Sequence, residues 1–142
     1  MVDEATVQAA WIARLKGMPE LTAEMIGVSG TEIREYQWQG VDFIYPAVRV
    51  YVDVFPSVNG CGPDGATVCT EIYTDEKSSK KVKHMGGILI ENLHKKRFKA
   101  QGLDFSMIRV VQAGHAERTI FAWYTKVTFD VLVNDNTPIV HA

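Results

Sequence analysis

The stretch Thr119 to Val133, TIFAWYTKVTFDVLV, decides how the rest of the chain is read. Phe121, Trp123, Val127, Phe129, Val131 and Val133 fall at every second position in a segment rich in aromatic and β-branched residues, the pattern of a half-buried β-strand. As one strand its fifteen residues reach roughly 50 Å at about 3.4 Å each, against about five to six residues in a typical strand. A domain of this size does not cover such a strand alone, so the pattern points to a subunit completed by neighbours. The first half is apolar on both faces, with Ile120, Ala122 and Tyr124 opposite Phe121 and Trp123, whereas the second half exposes Lys126, Thr128 and Asp130. The Phe121 to Val133 face is expected to close the core, and the Ile120 to Tyr124 face to meet the next subunit.

The chain has 142 residues, 46% hydrophobic and 23% charged, which predicts one soluble domain burying about two-thirds of its unfolded surface. Non-specific nucleic-acid binding over the whole surface needs many Lys and Arg contacts to phosphate, and the formal charge of -2 and pI near 6.1 argue against it. A local basic patch stays open. There is no run of about eighteen apolar residues and no charged-then-apolar leader at Met1, so no membrane span or secretory signal is expected and the chain should stay in the cytoplasm in which it is made.

From Asp3 to Lys16 the spacing predicts a helix, with Asp3 as N-cap, Val7, Ala10, Trp11 and Leu15 on one face, and Gly17 and Pro19 as stop signals. Leu21 to Gly30 reads as a connection. Ile33 to Trp38 and Val41 to Phe55 read as strands of a hairpin turning at Gln39-Gly40. Val48, Val50, Val52 and Val54 face the core in the second of these, with Arg49, Tyr51, Asp53 and Phe55 on the other side and Pro46 confined to its start. Pro56 to Ala66 is glycine- and proline-rich and reads as a flexible loop with a tight turn at Pro63-Asp64-Gly65. A strand over Thr67 to Thr74 leads into a helix from Asp75 to Lys99, whose Val82, Met85, Leu89 and Leu93 form the apolar stripe. After Gly102, Leu103 to Val111 forms a strand that turns through Gln112 to Arg118 into the final one. The order is thus helix, hairpin, strand, helix, hairpin. The fold class this implies is α+β, with an N-terminal helix and one long helix on one face of a two-layer, mainly antiparallel sheet of about five strands. Residues 1–142 form one domain, with 1–133 as its globular core and 134–142 as a C-terminal arm or disordered tail.

The chemical motifs are weak in their own context. Gly60-Cys61-Gly62-Pro63-Asp64-Gly65 has the G-x-G-x-x-G spacing of a dinucleotide loop, but a strand follows where a helix N-terminus is needed, and Pro63 removes an amide donor. The hairpin reading is preferred. Cys61 and Cys69 do not form a paired zinc spacing and are read as free thiols, a disulfide across the loop being disfavoured in cytoplasm. His84, His94, His115 and His141 are scattered, and Ser78-Ser79-Lys80-Lys81 reads as a helix start. No catalytic, cofactor or metal site is assigned. Eight basic residues between Lys77 and Lys99 form a solvated face or, alternatively, a DNA contact; Glu76 with Lys80 and Glu91 with Lys95, each at i,i+4, favour solvation. Gly86-Gly87 costs about 1 kcal/mol per glycine in a helix interior, so Gly86 is read as a close packing point. Tyr51, Phe55, Tyr73, Ile88, Ile120 and Tyr124 fall away from the predicted core, interleaved with charges, as at a subunit interface or a partly covered second core face.

The ordered set "PAVRVYVDVF", "VCTEIYTDEKSSKKVKHMGGILIENLHKKRF", "GLDFSMIRVVQ" and "AERTIFAWYTKVTFDVLV", after a short N-terminal helix, resembles the tail terminator, or tail completion, proteins of long-tailed bacteriophages over about Ala5 to Val133. The resemblance implies a non-enzymatic virion protein, assembled in the host cytoplasm, that forms a hexameric ring. Its partners would be other copies of itself, the tail tube protein and head-tail connector proteins, with passing contact to genomic DNA in the ring lumen and none to membrane. Tyr51, Phe55, Tyr73, Ile88, Ile120 and Tyr124 are then candidates for subunit contacts. Asn59, Gly60, Gly62, Asp64, His115, Glu117 and Arg118, at two hairpin tips, are candidates for tube or connector contacts. A different neck or head-completion subunit, a small nucleic-acid-binding module and an enzyme using the glycine-rich loop are the alternatives.

Overall fold

Trp11 sits at the point where helix meets sheet. It lies on α1 (Glu4–Lys16), whose Val7, Ala10, Trp11 and Leu15 are buried, as their spacing along one helical face predicts. The computed structural model describes residues 2–25, 32–36, 44–56 and 62–135. Asp3 occupies the N-cap position, where its carboxylate accepts from Thr6 Oγ1 at 3.2 Å, and the Gly17 N–H closes the helix on Ala13 O. A short helix follows, α2 (Pro19–Ala23), with proline pre-set at its first position. The expected connection therefore begins inside a helix; its residues 26–30 lie outside the described residues.

The strands are β1 (Ile33–Glu35), β2 (Ala47–Phe55), β3 (Asp64–Thr74), β4 (Phe98–Ala100), β5 (Leu103–Ala113), β6 (Glu117–Arg118) and β7 (Trp123–Asp135), with α3 (Lys80–Leu93) between β3 and β4. They form one sheet in the order β1-β2-β3-β7-β5-β4, with β6 also on β7. The fold is α+β, a half-barrel of mainly antiparallel strands. Among the described residues the sheet has seven strands, two of them short additions to the expected five or so.

Four further expectations about the strands and the long helix change. First, β1 and β2 are parallel, Ile33 beside Val48 and Glu35 beside Val50, so the chain crosses back between them and does not turn as a hairpin. Gln39-Gly40, read as the turn, lies outside the described residues. A buried ion pair fastens this ladder: Arg49 donates through Nη1 to the carbonyls of Glu32 (2.6 Å) and Val48 (3.0 Å), and through Nη2 to Glu32 Oε2 (3.0 Å). Second, β3 begins at Asp64 and pairs Gly65 with Phe55, so the loop after β2 is a β2–β3 hairpin and Asp64-Gly65 belong to its strand.

Third, the long helix ends at Leu93. The Lys95 N–H donates to Ile108 O (2.7 Å) and the Val110 N–H to His94 Nδ1 (3.1 Å), which turns the chain onto β5 and leaves Phe98 to form β4. Glu76 is not helical, Lys95 lies past the helix end, and Glu76 instead approaches Lys81 at 3.6 Å. Neither i,i+4 pair forms within a helix. Fourth, Thr119 to Val133 is not one strand. Thr119 and Ala122 close a tight turn (Thr119 N to Ala122 O, 2.7 Å), and β7 starts only at Trp123. Phe121, expected in the core, is 75% exposed at that turn.

The remaining length is handled by curvature. Relative to β7, β5 slips between Ser106 and Arg109 and again between Val110 and Gln112, and Met107 has φ +51 at the first slip. A bulge adds an unpaired residue that bends the strand and sharpens its twist, so this long strand wraps round a core that a flat one would overshoot. Asn134 and Asp135, assigned to an arm, extend β7 opposite Asp104 and Leu103; residues 136–142 lie outside the described residues.

Both long helices use one face of the sheet. Trp11 packs on Phe129 (ring centroids 5.3 Å), Phe98 (5.7 Å) and Phe105 (6.0 Å), and its indole N–H donates to Thr70 Oγ1 at 3.2 Å. From α3, Val82, Met85, Leu89 and Leu93 are buried as expected. A Cβ on Gly86 would lie 3.7 Å from Thr125 Cγ2 and 3.8 Å from Val127 Cγ2, so this glycine marks the helix's approach to the sheet, at ordinary contact distance. A Cβ on Gly87 would meet nothing within 4 Å.

Gly87→Ala is therefore expected to raise stability by about 1 kcal/mol, because only the helical cost of glycine is removed. Trp11→Ala should lower it by roughly 3–5 kcal/mol through loss of a buried aromatic side chain. Urea unfolding followed by circular dichroism reads both; an unaltered midpoint for Trp11→Ala would contradict the packing described.

Candidate functional site

The sheet face away from the helices follows from strand alternation. Cross-strand pairing sets Ala47, Tyr73 and Tyr124 in one row, Arg49, Glu71 and Lys126 in the next, then Tyr51, Cys69 and Thr128, and then Asp53, Thr67 and Asp130. Directly opposed residues share a face, so the valines turned to the helices leave this second set turned away.

These rows form a polar network with aromatic edges. The Tyr73 hydroxyl donates to Glu71 Oε2 at 2.6 Å, Lys126 Nζ donates to the Tyr51 hydroxyl at 3.4 Å, and Thr67 Oγ1 donates to Asp130 Oδ1 at 3.1 Å. Tyr36 meets Tyr51 edge-on at 5.2 Å, and Tyr73 and Tyr124 pack at 5.3 Å. Glu71 is 7% exposed although it lies on the face away from the helices, and it accepts the Tyr73 hydroxyl there. Cys69 is a buried free thiol, 3.7 Å from Thr128 Oγ1.

The phenol pKa values are pushed above their ordinary value, so these groups are weaker acids than a free tyrosine. For Tyr73 the chief cause is burial, followed by the hydrogen bond and negative charge of Glu71. For Tyr51 the hydrogen bond with Cys69 comes first and burial second; for Tyr124 burial leads and the charges of Glu71 and Glu117 add to it. These environments keep neutral phenols as hydrogen-bonding and contact groups.

Of the expected interface residues, Tyr51, Tyr73 and Tyr124 come together here and are half-buried, and Phe55 stands 55% exposed at the far end of β2. Ile120 is 86% exposed at the β6–β7 turn. Ile88 is buried on α3. The apolar face of a core-packed helix spans about 100° or more, and Ile88, one turn from Met85 and beside Leu89, falls inside it.

Of the expected contact-loop residues, Gly62 is exposed with φ +89, and His115, Glu117 and Arg118 are exposed beside the β6–β7 turn. Asp64 turns inward: it is buried in β3, and its Oδ2 accepts the Val2 N–H at 2.7 Å, tethering the N-terminal segment. Asn59 and Gly60 lie outside the described residues, as does Cys61. Across the expected turn at Gln112 to Arg118 the chain stays beside β7, with Gln112 and Ala113 ending β5 and Glu117–Arg118 forming β6, and the true tip is Thr119 to Ala122. There Thr119 Oγ1 donates to Ala122 O (2.8 Å) and accepts from Ala122 N (3.0 Å). This was the missed signal, a threonine whose side chain closes its own turn. Phe121, expected in the core, and Tyr36, 53% exposed, also stand at the surface.

The basic residues do not form one helical face, because Lys95, Lys96, Arg97 and Lys99 follow the end of α3. Arg97 pairs with Asp104, and its hydrogen bond holds that carboxyl's pKa below the ordinary value, while His84 Nε2 approaches Glu24 at 3.3 Å. Among the described residues, no group of three or more His, Cys, Asp or Glu side chains is placed to hold a metal ion. No described helix is long and apolar enough to cross a membrane.

No protein-family model and no curated protein sequence matches the chain. Among solved structures, it is similar to a chain from the virion of a native gene transfer agent particle. The TM-score is 0.72 at 17% identity, covering 89% of this chain and 93% of that one. A second solved chain shares the fold with TM-score 0.64 at 12% identity, covering 94% of this chain and 97% of its own. At these identities the likeness is one of fold, across almost the whole length of each chain.

Raised phenol pKa values make stability depend on alkaline pH. The stabilisation is fully present below the unfolded value of about 10 and is lost as pH rises through the higher folded values. Tyrosinate absorbance of the folded chain should therefore lag that of the urea-unfolded chain and catch up as the circular dichroism signal collapses. Coincident titration curves would show that Tyr51, Tyr73 and Tyr124 are not shielded as described.

Proposed function

We propose that this protein is a structural subunit of a phage-like virion. In this reading it forms a hexameric ring at the end of the tail tube, stops tube polymerisation and presents a surface for head-tail joining. The observation that carries the reading is the fold shared with a chain of the gene transfer agent virion over 89% of this chain and 93% of that one. The ordered sequence elements that resemble tail terminators support the finer assignment. So does the aromatic sheet face, whose tyrosines suit contact with a neighbouring subunit.

The mechanism is steric. A ring seated on the last tube ring occupies the surface to which the next tube subunit would add, and head-to-tail contacts between identical subunits make such a ring when their rotation closes. No bond is made or broken, so no catalytic group is assigned. The partners in this reading are further copies, the tube protein and the head-side connector, with DNA passing through the lumen and the protein residing in the virion tail or neck.

Native mass spectrometry under tail-assembly conditions should give a species near six times 15.9 kDa, and electron microscopy should show rings. Adding the protein to growing tubes should arrest elongation. A persistent monomer counts against the ring, and rings that leave tubes elongating defeat the capping role. Location at the head connector without tube contact would favour a different neck-completion subunit.

A further inference from the structure

The turn between β6 and β7 presents two adjacent large apolar side chains to solvent, Ile120 at 86% and Phe121 at 75% exposure. It is a held conformation. Three hydrogen bonds between Thr119 and Ala122 close it, and Arg118 lies over the Trp123 ring at 5.9 Å behind it. A contact group already fixed in place loses little entropy on binding, which favours use as a docking tip.

A fitting concavity lies elsewhere on the molecule. The half-barrel is open between its edge strands β1 and β4, and α1 bridges that opening, with Trp11 packed against Phe98 of β4 and the Gln8 amide donating to Val50 O (2.6 Å) beside β1. The outer side of α1 forms the floor of a groove through Ala5, Ala9, Ile12 and Ala13. Glu35 of β1 stands on one wall and Gln101 of the β4–β5 turn on the other. Where the groove adjoins the N-terminal end of α1 it is acidic, with Asp3, Glu4 and Glu35, and Lys16 lines its other end; the tip carries the cationic Arg118, with Glu117 next to it on β6. Shape and charge therefore match: a convex apolar tip beside a cation, and a concave apolar floor beside carboxylates.

The two features cannot meet within one subunit. The tip extends past the end of the sheet where Trp123 pairs with Thr74, whereas the N-terminal segment before α1 is tied to Asp64 at the opposite end, where Asp64 pairs with Val133. We propose that the Ile120-Phe121 tip of one subunit docks in the α1 groove of the next, with Arg118 toward Glu35. This contact is heterologous, one patch meeting a different patch, and propagates from subunit to subunit until it closes. It rests on the ring reading above and assigns its subunit contact to residues that the tyrosine face does not include.

Phe121→Asp and Ala9→Arg test it, since both positions are exposed and folding is checked by circular dichroism. Each variant alone should raise the concentration for assembly by about tenfold or more, the effect of losing an interface anchor. Mixed in equal amounts they should give dimers and nothing larger, because one intact tip and one intact groove remain. Arg118→Glu should weaken assembly and Glu35→Arg in the same chain should restore it. The proposal is overturned if either anchor variant assembles as the wild type, if the mixture stays monomeric, or if rings form normally and only tube joining is lost. In those cases the ring reading survives, whereas a wild-type chain that stays monomeric overturns both.

Discussion

Everything in this fold leans on the seat of Trp11. The indole is fully buried from a helix that spans the mouth of an open half-barrel, and it touches Phe129 in the centre of the sheet together with Phe105 and Phe98 toward one edge. Phe98 and Phe105 stack at 4.6 Å, and Arg14 covers Phe98 at 5.5 Å. Each such aromatic pair adds about 0.5–1.5 kcal/mol beyond area burial. The cluster joins α1, β4, β5 and β7 and so holds closed on the inside a sheet whose edge strands β1 and β4 do not pair with each other among the described residues.

That arrangement explains the surfaces left over. A barrel joined by backbone hydrogen bonds would have no seam, but here a helix bridges the gap, and the outer side of that helix becomes a groove. The bulges in β5 bend it around the core, and beyond them β6 and β7 run on to a tip that stands clear of the sheet. Groove and tip are thus two consequences of the same curvature. The tyrosine face is a third, since the helices occupy the other side of the sheet.

Periodicity made much of this legible. Val7, Ala10, Trp11 and Leu15, and then Val82, Met85, Leu89 and Leu93, are the buried residues their spacing predicts, and the alternating valines of β2 face the core. The grouping of Tyr51, Tyr73 and Tyr124 followed from the same alternation. Periodicity failed where a long-range contact overrides a local pattern. Phe121 continues the alternation of β7 but lies in a turn closed by Thr119, and Ile88 reads as an outer residue until α3 is set down on Thr125 and Val127.

The linear sequence by itself determined the α+β class, the two helical faces and the central strands, because these depend on interactions between residues a few positions apart. Only the tertiary structure decided the parallel β1–β2 ladder, fastened by Arg49 and Glu32, and the bulged register of β5 on β7. It also decided that Asp64 points inward to Val2, and that groove and tip lie apart on one subunit. Each of these is a pairing between distant segments whose partner is selected by the packed core, so no local pattern encodes it.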